Sequence, residues 1–96
     1  MEPVASICYR IILNTDDDVA IDNILSNSFL FAKGEKASDI PNQFAAESGN
    51  KTMLMLAAKE GRYSCCKLLI GLDPRSIYAQ NEQGLSALHV SMSFIF

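Results

Sequence analysis

The chain has 96 residues, 49% of them hydrophobic and 20% charged, with Lys+Arg 8 against Asp+Glu 11 for a formal net charge of -3. That is room for one small domain of globular composition, which excludes a wholly disordered, collagenous or low-complexity chain. No surplus of bases stands ready to neutralise a run of phosphates, so nucleic acid is not expected as a partner, and the apolar runs fall far short of the roughly 18–20 residues of a membrane span. The start, with Glu2 and no basic stretch ahead of an apolar run, does not read as a secretory leader. Cys8, Cys65 and Cys66 are odd in number and two are adjacent, which predicts a reducing, intracellular compartment, cytoplasmic or nuclear.

In chain order, Val4, Ile7, Cys8 and Ile11 share one helical face, with Pro3 near the first turn where a missing N–H costs nothing. Asn14-Thr15 breaks that helix. Thr15 followed by Asp16-Asp17-Asp18 predicts an N-cap with negative charge over the positive end of a second helix, which carries Ile21, Ile24 and Leu25 on one face. The two helices form an antiparallel hairpin. Residues 27–50, punctuated by Gly34, Pro41 and Gly49, read as a loop with one helical turn around Gln43–Glu47. Residues 1–48 carry a net charge of -5 and residues 49–96 a net of +2. That asymmetry can mean complementary faces, although the run Asp16–Asp18 has the local explanation of a helix start.

From Thr52 the pattern sharpens. Leu54, Ala57 and Ala58 fall at helical spacing, Gly61 gives a left-handed stop, and Cys66, Leu69 and Ile70 mark a partner helix over Arg62 to Ile70. A loop runs from Gly71 to Gln83. Gly84-Leu-Ser-Ala-Leu-His-Val-Ser91 then repeats the register 34 residues on: Thr52 meets Ser86, Leu54 meets Leu88, and Ala57 meets Ser91. Self-similarity at such a period marks a stacked repeat.

The string Thr52, Leu54, Leu56, Ala57, Ala58, Gly61, Cys66, Leu69, Ile70, with Gly84, Ser86, Leu88, His89 and Ser91 in the second copy, resembles the ankyrin repeat family over about residues 47–96. The departures are a period longer than the family's 33 or so, Met53 and Ala87 where the family has proline, Met55 where it has histidine, and Asn50 for a turn glycine. The resemblance implies an all-α fold of stacked antiparallel helical hairpins. Residues 49–96 would hold one complete and one truncated repeat, and 1–48 a hairpin and loop acting as a degenerate capping repeat. It also implies that the partner-facing places are Ser48, Lys51, Lys59, Glu60, Glu82, Gln83 and Leu85. The chain closes on Met92-Ser-Phe-Ile-Phe96, apolar where a polar cap belongs. A truncated stack is therefore expected, the competing reading being that Phe94 and Phe96 pack against the preceding repeat.

No catalytic constellation emerges. His89 has no recognisable nucleophile or acid beside it, and by resemblance it ties the repeat's turn together. The adjacent cysteines diverge by about 100° on a helix and lack zinc-site spacing, so no metal is expected. Cys66 is placed in the core, and Cys65 is the more exposed thiol, open to oxidation. The run Asp16–Asp18 lacks the alternation of a calcium loop. Met53 and Met55 read either as an adaptable binding surface or as fillers of the gap left by the family's Pro and His. The expectation is a non-catalytic protein-interaction module without cofactor, acting as scaffold, adaptor or inhibitor. The alternative is a regulatory segment of a larger ankyrin-containing enzyme or channel.

Overall fold

A computed structural model describes residues 3–27, 31–44, 51–80, 84 and 86. Its described residues are organised by helices alone: α1 (Val4–Asn14), α2 (Asp18–Leu25), α3 (Met53–Lys59) and α4 (Tyr63–Leu72), with 3₁₀ segments at Ala37–Asn42 and Pro74–Tyr78. None of these helices is long and apolar enough to cross a membrane.

The first hairpin is built from two amphipathic helices. Pro3 stands at the N-cap of α1 in extended conformation, where its missing N–H removes a donor that would have no partner. The stripe α1 buries is Val4, Cys8 and Ile12, flanked by Ala5 and Ser6. The sequence pattern had pointed to Val4, Ile7, Cys8 and Ile11, but Ile7 and Ile11 are only half-buried. Apolar side chains at 7, 8, 11, 12 and 13 cover more than half the helix circumference, so spacing alone left the phase open by one position. The stripe faces α3 and α2. The cap of α2 also differs from expectation. Thr15 is extended and closes α1 by donating its N–H to the Ile11 carbonyl at 2.9 Å, while Asp17 is the N-cap, accepting from the Ala20 N–H at 3.0 Å. The helix starts late because Asp16 is turned elsewhere. As expected, α2 buries Ile21 and Leu25, with Ile24 at the edge.

The connection after α2 is more structured than its composition suggested. A turn at Gly34, with φ +86, leads into the 3₁₀ segment Ala37–Asn42. That segment begins with the Asp39 carboxylate accepting from the Lys36 N–H at 2.9 Å, and it buries Ile40 and Pro41. The helical turn thus lies before the predicted Gln43–Glu47. Gln43 is extended, Phe44 forms an isolated antiparallel bridge with Thr52, and 45–47 lie outside the described residues.

The second hairpin is the centre of the molecule. Every residue from Met53 to Ala58 is buried, so α3 is apolar all round rather than striped. Thr52 fixes its start: the hydroxyl oxygen accepts from the Met55 N–H at 3.2 Å. Gly61 fixes its end with φ +70, a conformation open to glycine at little cost, and the Arg62 N–H returns to the Ala57 carbonyl at 2.9 Å. The helix α4 then buries Cys65 and Leu69, leaving Cys66, Leu68, Ile70 and Leu72 half-buried. This reverses the expected roles of the two cysteines: Cys65 is the core thiol and Cys66 the more open one. Gly71 does not stop α4 either. The helix runs through to Leu72, and the loop expected from Gly71 onward contains the second 3₁₀ segment.

The core is one cluster drawing on both hairpins, from Val4, Cys8, Ile12 and Ile21 through Ile40 to Leu54, Met55, Cys65 and Leu69. Met53 and Met55 are fully buried in it, as gap-filling thioethers would be.

Candidate functional site

The end of the molecule where both hairpins turn is held by a reciprocal pair of side chains. The four final carbonyls of a helix and its four first N–H groups have no partner within the helix, and they carry opposite partial charges. Arg62, at the N-cap of α4, serves the first need on the other hairpin: Nε donates to the Ile12 carbonyl at 2.7 Å and a terminal guanidinium nitrogen to the Leu13 carbonyl at 3.0 Å. Asp16, just past α1, serves the second: its two carboxylate oxygens accept from the N–H groups of Ser64 at 3.1 Å and Cys65 at 3.0 Å. A base sits on the negative end of α1 and an acid on the positive end of α4. These are charge-assisted hydrogen bonds aligned with both dipoles.

The clasp sets local acidities. Burial pushes the Asp16 carboxyl up, but the hydrogen bonds from Cys65 and Ser64 outweigh it and hold the group below its usual value. Beneath it, burial raises the Cys65 thiol to about 12, helped by the hydrogen bond to Asp16 and by the nearby charges of Asp16 and Asp18. Burial likewise raises Cys8 and Cys66 to about 11. All three cysteines are free thiols, and elevation of this kind keeps them protonated and poorly nucleophilic. The oxidation-prone thiol expected at Cys65 is therefore corrected on two grounds, burial and acidity. Among the described residues, no group of three or more His, Cys, Asp or Glu side chains is placed to share a metal ion.

A second polar link joins the units at the other end of α4. Asp73 accepts from the Asn42 side-chain amide at 2.7 Å with one oxygen. With the other it accepts from the Arg75 N–H at 3.1 Å, capping the second 3₁₀ segment. Each hairpin is then followed by the same sequence of parts: a 3₁₀ segment, then an antiparallel bridge to a buried hydroxyl residue. The bridges are Phe44 to Thr52 and Gln80 to Ser86.

Of the partner-facing residues expected from the sequence, Lys51, Lys59 and Glu60 are described. Lys51 precedes the N-cap of α3, Lys59 is exposed in its last turn, and Glu60 is its half-buried C-cap. Lys51 and Lys59 stand at opposite ends of α3, about 12 Å apart along its axis at the usual rise per residue. Ser48, Glu82, Gln83 and Leu85 lie outside the described residues, as does His89. The sequence reading missed Asp16 and Arg62 as a pair. The acidic run was assigned to the start of α2, and only Asp17 serves there. Nothing local could pair Asp16 with amides 48 and 49 residues away.

No protein-family model, curated protein or solved structure matches this chain.

Proposed function

We propose that this chain is a non-catalytic protein-interaction module of the ankyrin-repeat type, working inside the cell as a scaffold, adaptor or inhibitor. The observation that carries this reading is the repeated order of hairpin, 3₁₀ segment and bridge, which brings Thr52 and Ser86, 34 residues apart, to equivalent places. Alanines at 57 and 58 support it, because small side chains on a helix buried all round let neighbouring helices approach closely. In such a stack the partner-facing places Ser48, Lys51, Lys59, Glu60, Glu82, Gln83 and Leu85 form the binding surface.

The test is affinity capture with the full chain, followed by charge reversal. Lys59→Glu should abolish retention of the captured protein while the chain stays folded, losing no more than about 1–2 kcal/mol at the negative end of α3. Asp22→Asn, exposed on α2 and away from the proposed surface, should leave retention intact. Equal retention by all three proteins would remove the surface from the proposal.

A further inference from the structure

Ser64 stands between the two halves of the clasp. It is exposed in the first turn of the ten-residue helix α4. Its N–H is one of the two donors that Asp16 holds. Two residues before it, Arg62 is committed to the Ile12 and Leu13 carbonyls. Bases surround it in sequence at Lys59, Arg62 and Lys67. First-turn amides have no partner within their own helix, so presenting this serine as an extended segment breaks the two Asp16 bonds and the Cys66 N–H bond to the Arg62 carbonyl, at the very end of α4.

We infer that Ser64 is a phosphorylation site for a basic-directed serine kinase, and that a phosphate there opens the Asp16–Arg62 clasp and loosens the first hairpin from the second. In the transfer, Ser64 Oγ attacks the γ-phosphorus of a nucleoside triphosphate. The new Oγ–P bond forms as the bond to the β-phosphate oxygen breaks, the nucleoside diphosphate leaves, and the hydroxyl proton passes to the kinase's base.

Both halves of the clasp respond to that one change. A phosphoserine brings nearly two negative charges and three acceptor oxygens. It is tethered to the very residue whose N–H Asp16 occupies, so it competes for the Ser64 and Cys65 amides at high effective concentration. The Asp16 carboxylate, with Asp17 at the cap and Asp18 in the first turn of α2 beside it in sequence, then faces a like charge only a few ångströms away. From the α4 side, Arg62 is drawn off the α1 carbonyls toward a partner that its guanidinium can grip in bidentate fashion. Lys67, one turn on, adds attraction for the phosphate, while the Cys65 and Cys66 thiols remain neutral.

The effect of the phosphate therefore depends on Asp16. Against the carboxylate, it destabilises the fold. Without the carboxylate, the helix dipole, Arg62 and Lys67 outweigh the remaining charges of Asp17 and Asp18, and an anion at the start of α4 stabilises it.

The experiment uses the full chain, labelled with ATP by a panel of purified basic-directed serine kinases, and in parallel made with phosphoserine installed at position 64. Phosphate should map to Ser64 and vanish in Ser64→Ala. Phosphorylation should lower the melting temperature of wild type and raise that of Asp16→Asn, a reversal of sign. If Asp16→Asn does not fold, pH supplies the second reading. The second phosphate ionisation lies at about 6, so lowering the pH from 7.5 to 5.5 should restore part of the lost stability in the phosphorylated chain and none in the unmodified one. No labelling at Ser64 by any kinase of the panel overturns the proposal. So does a phosphate that shifts both backgrounds equally, or a loss in the phosphorylated chain that ignores pH.

Discussion

The two hairpins reach the same topology by different means. The second is specified by its backbone: Thr52 and Gly61 bracket α3, and everything between Met53 and Ala58 is buried. The first has no such signature. Its helices are striped, its caps are improvised from Thr15 and Asp17, and its place is set by what Asp16 and Arg62 do across the gap. A hairpin that is central can carry its instructions in its own sequence. A hairpin that docks against it needs directional contacts, because apolar stripes alone do not fix which turn meets which.

The largest expected break lies in the central helix. Ala58 is buried where α3 is closely approached, and Ala58→Arg adds volume and an unpaired charge there. Overpacking alone costs about 1–3 kcal/mol, and the stranded charge adds to it. Against the 5–15 kcal/mol or so that holds a typical domain together, loss of the folded state is expected, read as collapse of the far-ultraviolet circular dichroism signal. A cooperative melt near that of wild type would show that α3 is not the centre of the structure.

Next in size is Arg62→Met, which keeps the apolar stem and removes the donors to Ile12 and Leu13. Hydrogen bonds from a charged group contribute about 1.5–3 kcal/mol, and the deletion strands carbonyls at the end of α1. The melt should shift by roughly that amount, with amide exchange rising more in α1 and α2 than in α3. A uniform rise would remove the distinction between a self-specified hairpin and a docked one.

Legibility in the sequence followed the same division. Gly61 and the alanines were readable because each answers a local demand: a positive φ, a close approach. The phase of α1 was misread by one position because apolar residues crowd both sides of Ile11–Leu13. Cys65 and Cys66 were exchanged because α4 offers apolar groups on most of its circumference, and only its packing against α3, α2 and the first 3₁₀ segment selects Cys65 and Leu69. Asp16 was invisible as a clasp residue because a carboxylate's partners across 48 residues leave no periodic trace.

The hairpins should also separate by pH. The folded-state acidity of Asp16 is strengthened, so its contribution is present above the ordinary carboxyl value and is lost as pH falls through the lowered one. Asp16→Asn should flatten that acid limb. The thiols run the other way. Cys65 is raised from 9.0 to about 12, so the stability tied to its neutral form is complete below about 9 and is lost as pH rises toward the folded value. Cys65→Ala should remove part of the alkaline limb and leave the acid limb unchanged. Denaturant melts from pH 3 to 11 check both. An acid limb that survives in Asp16→Asn would assign it to other carboxylates.

The smallest expected effect is the most useful control. Lys59 follows Ala58 directly, yet it is exposed in the last turn of α3 while its neighbour is buried. Its charge lies near the negative end of that helix, a placement that contributes a few tenths of a kcal/mol at an exposed site. Lys59→Ala keeps good helix propensity and gives up only that term, so its melt should lie within about 0.5 kcal/mol of wild type. One residue along the chain then separates the largest effect from the smallest, because α3 is buried on every face up to Ala58 and emerges from the core only at its last residue, Lys59. A Lys59→Ala loss as large as that of Arg62→Met would mean that the end of α3 is covered, and the binding surface proposed there would have to move to Lys51 and the other partner-facing places.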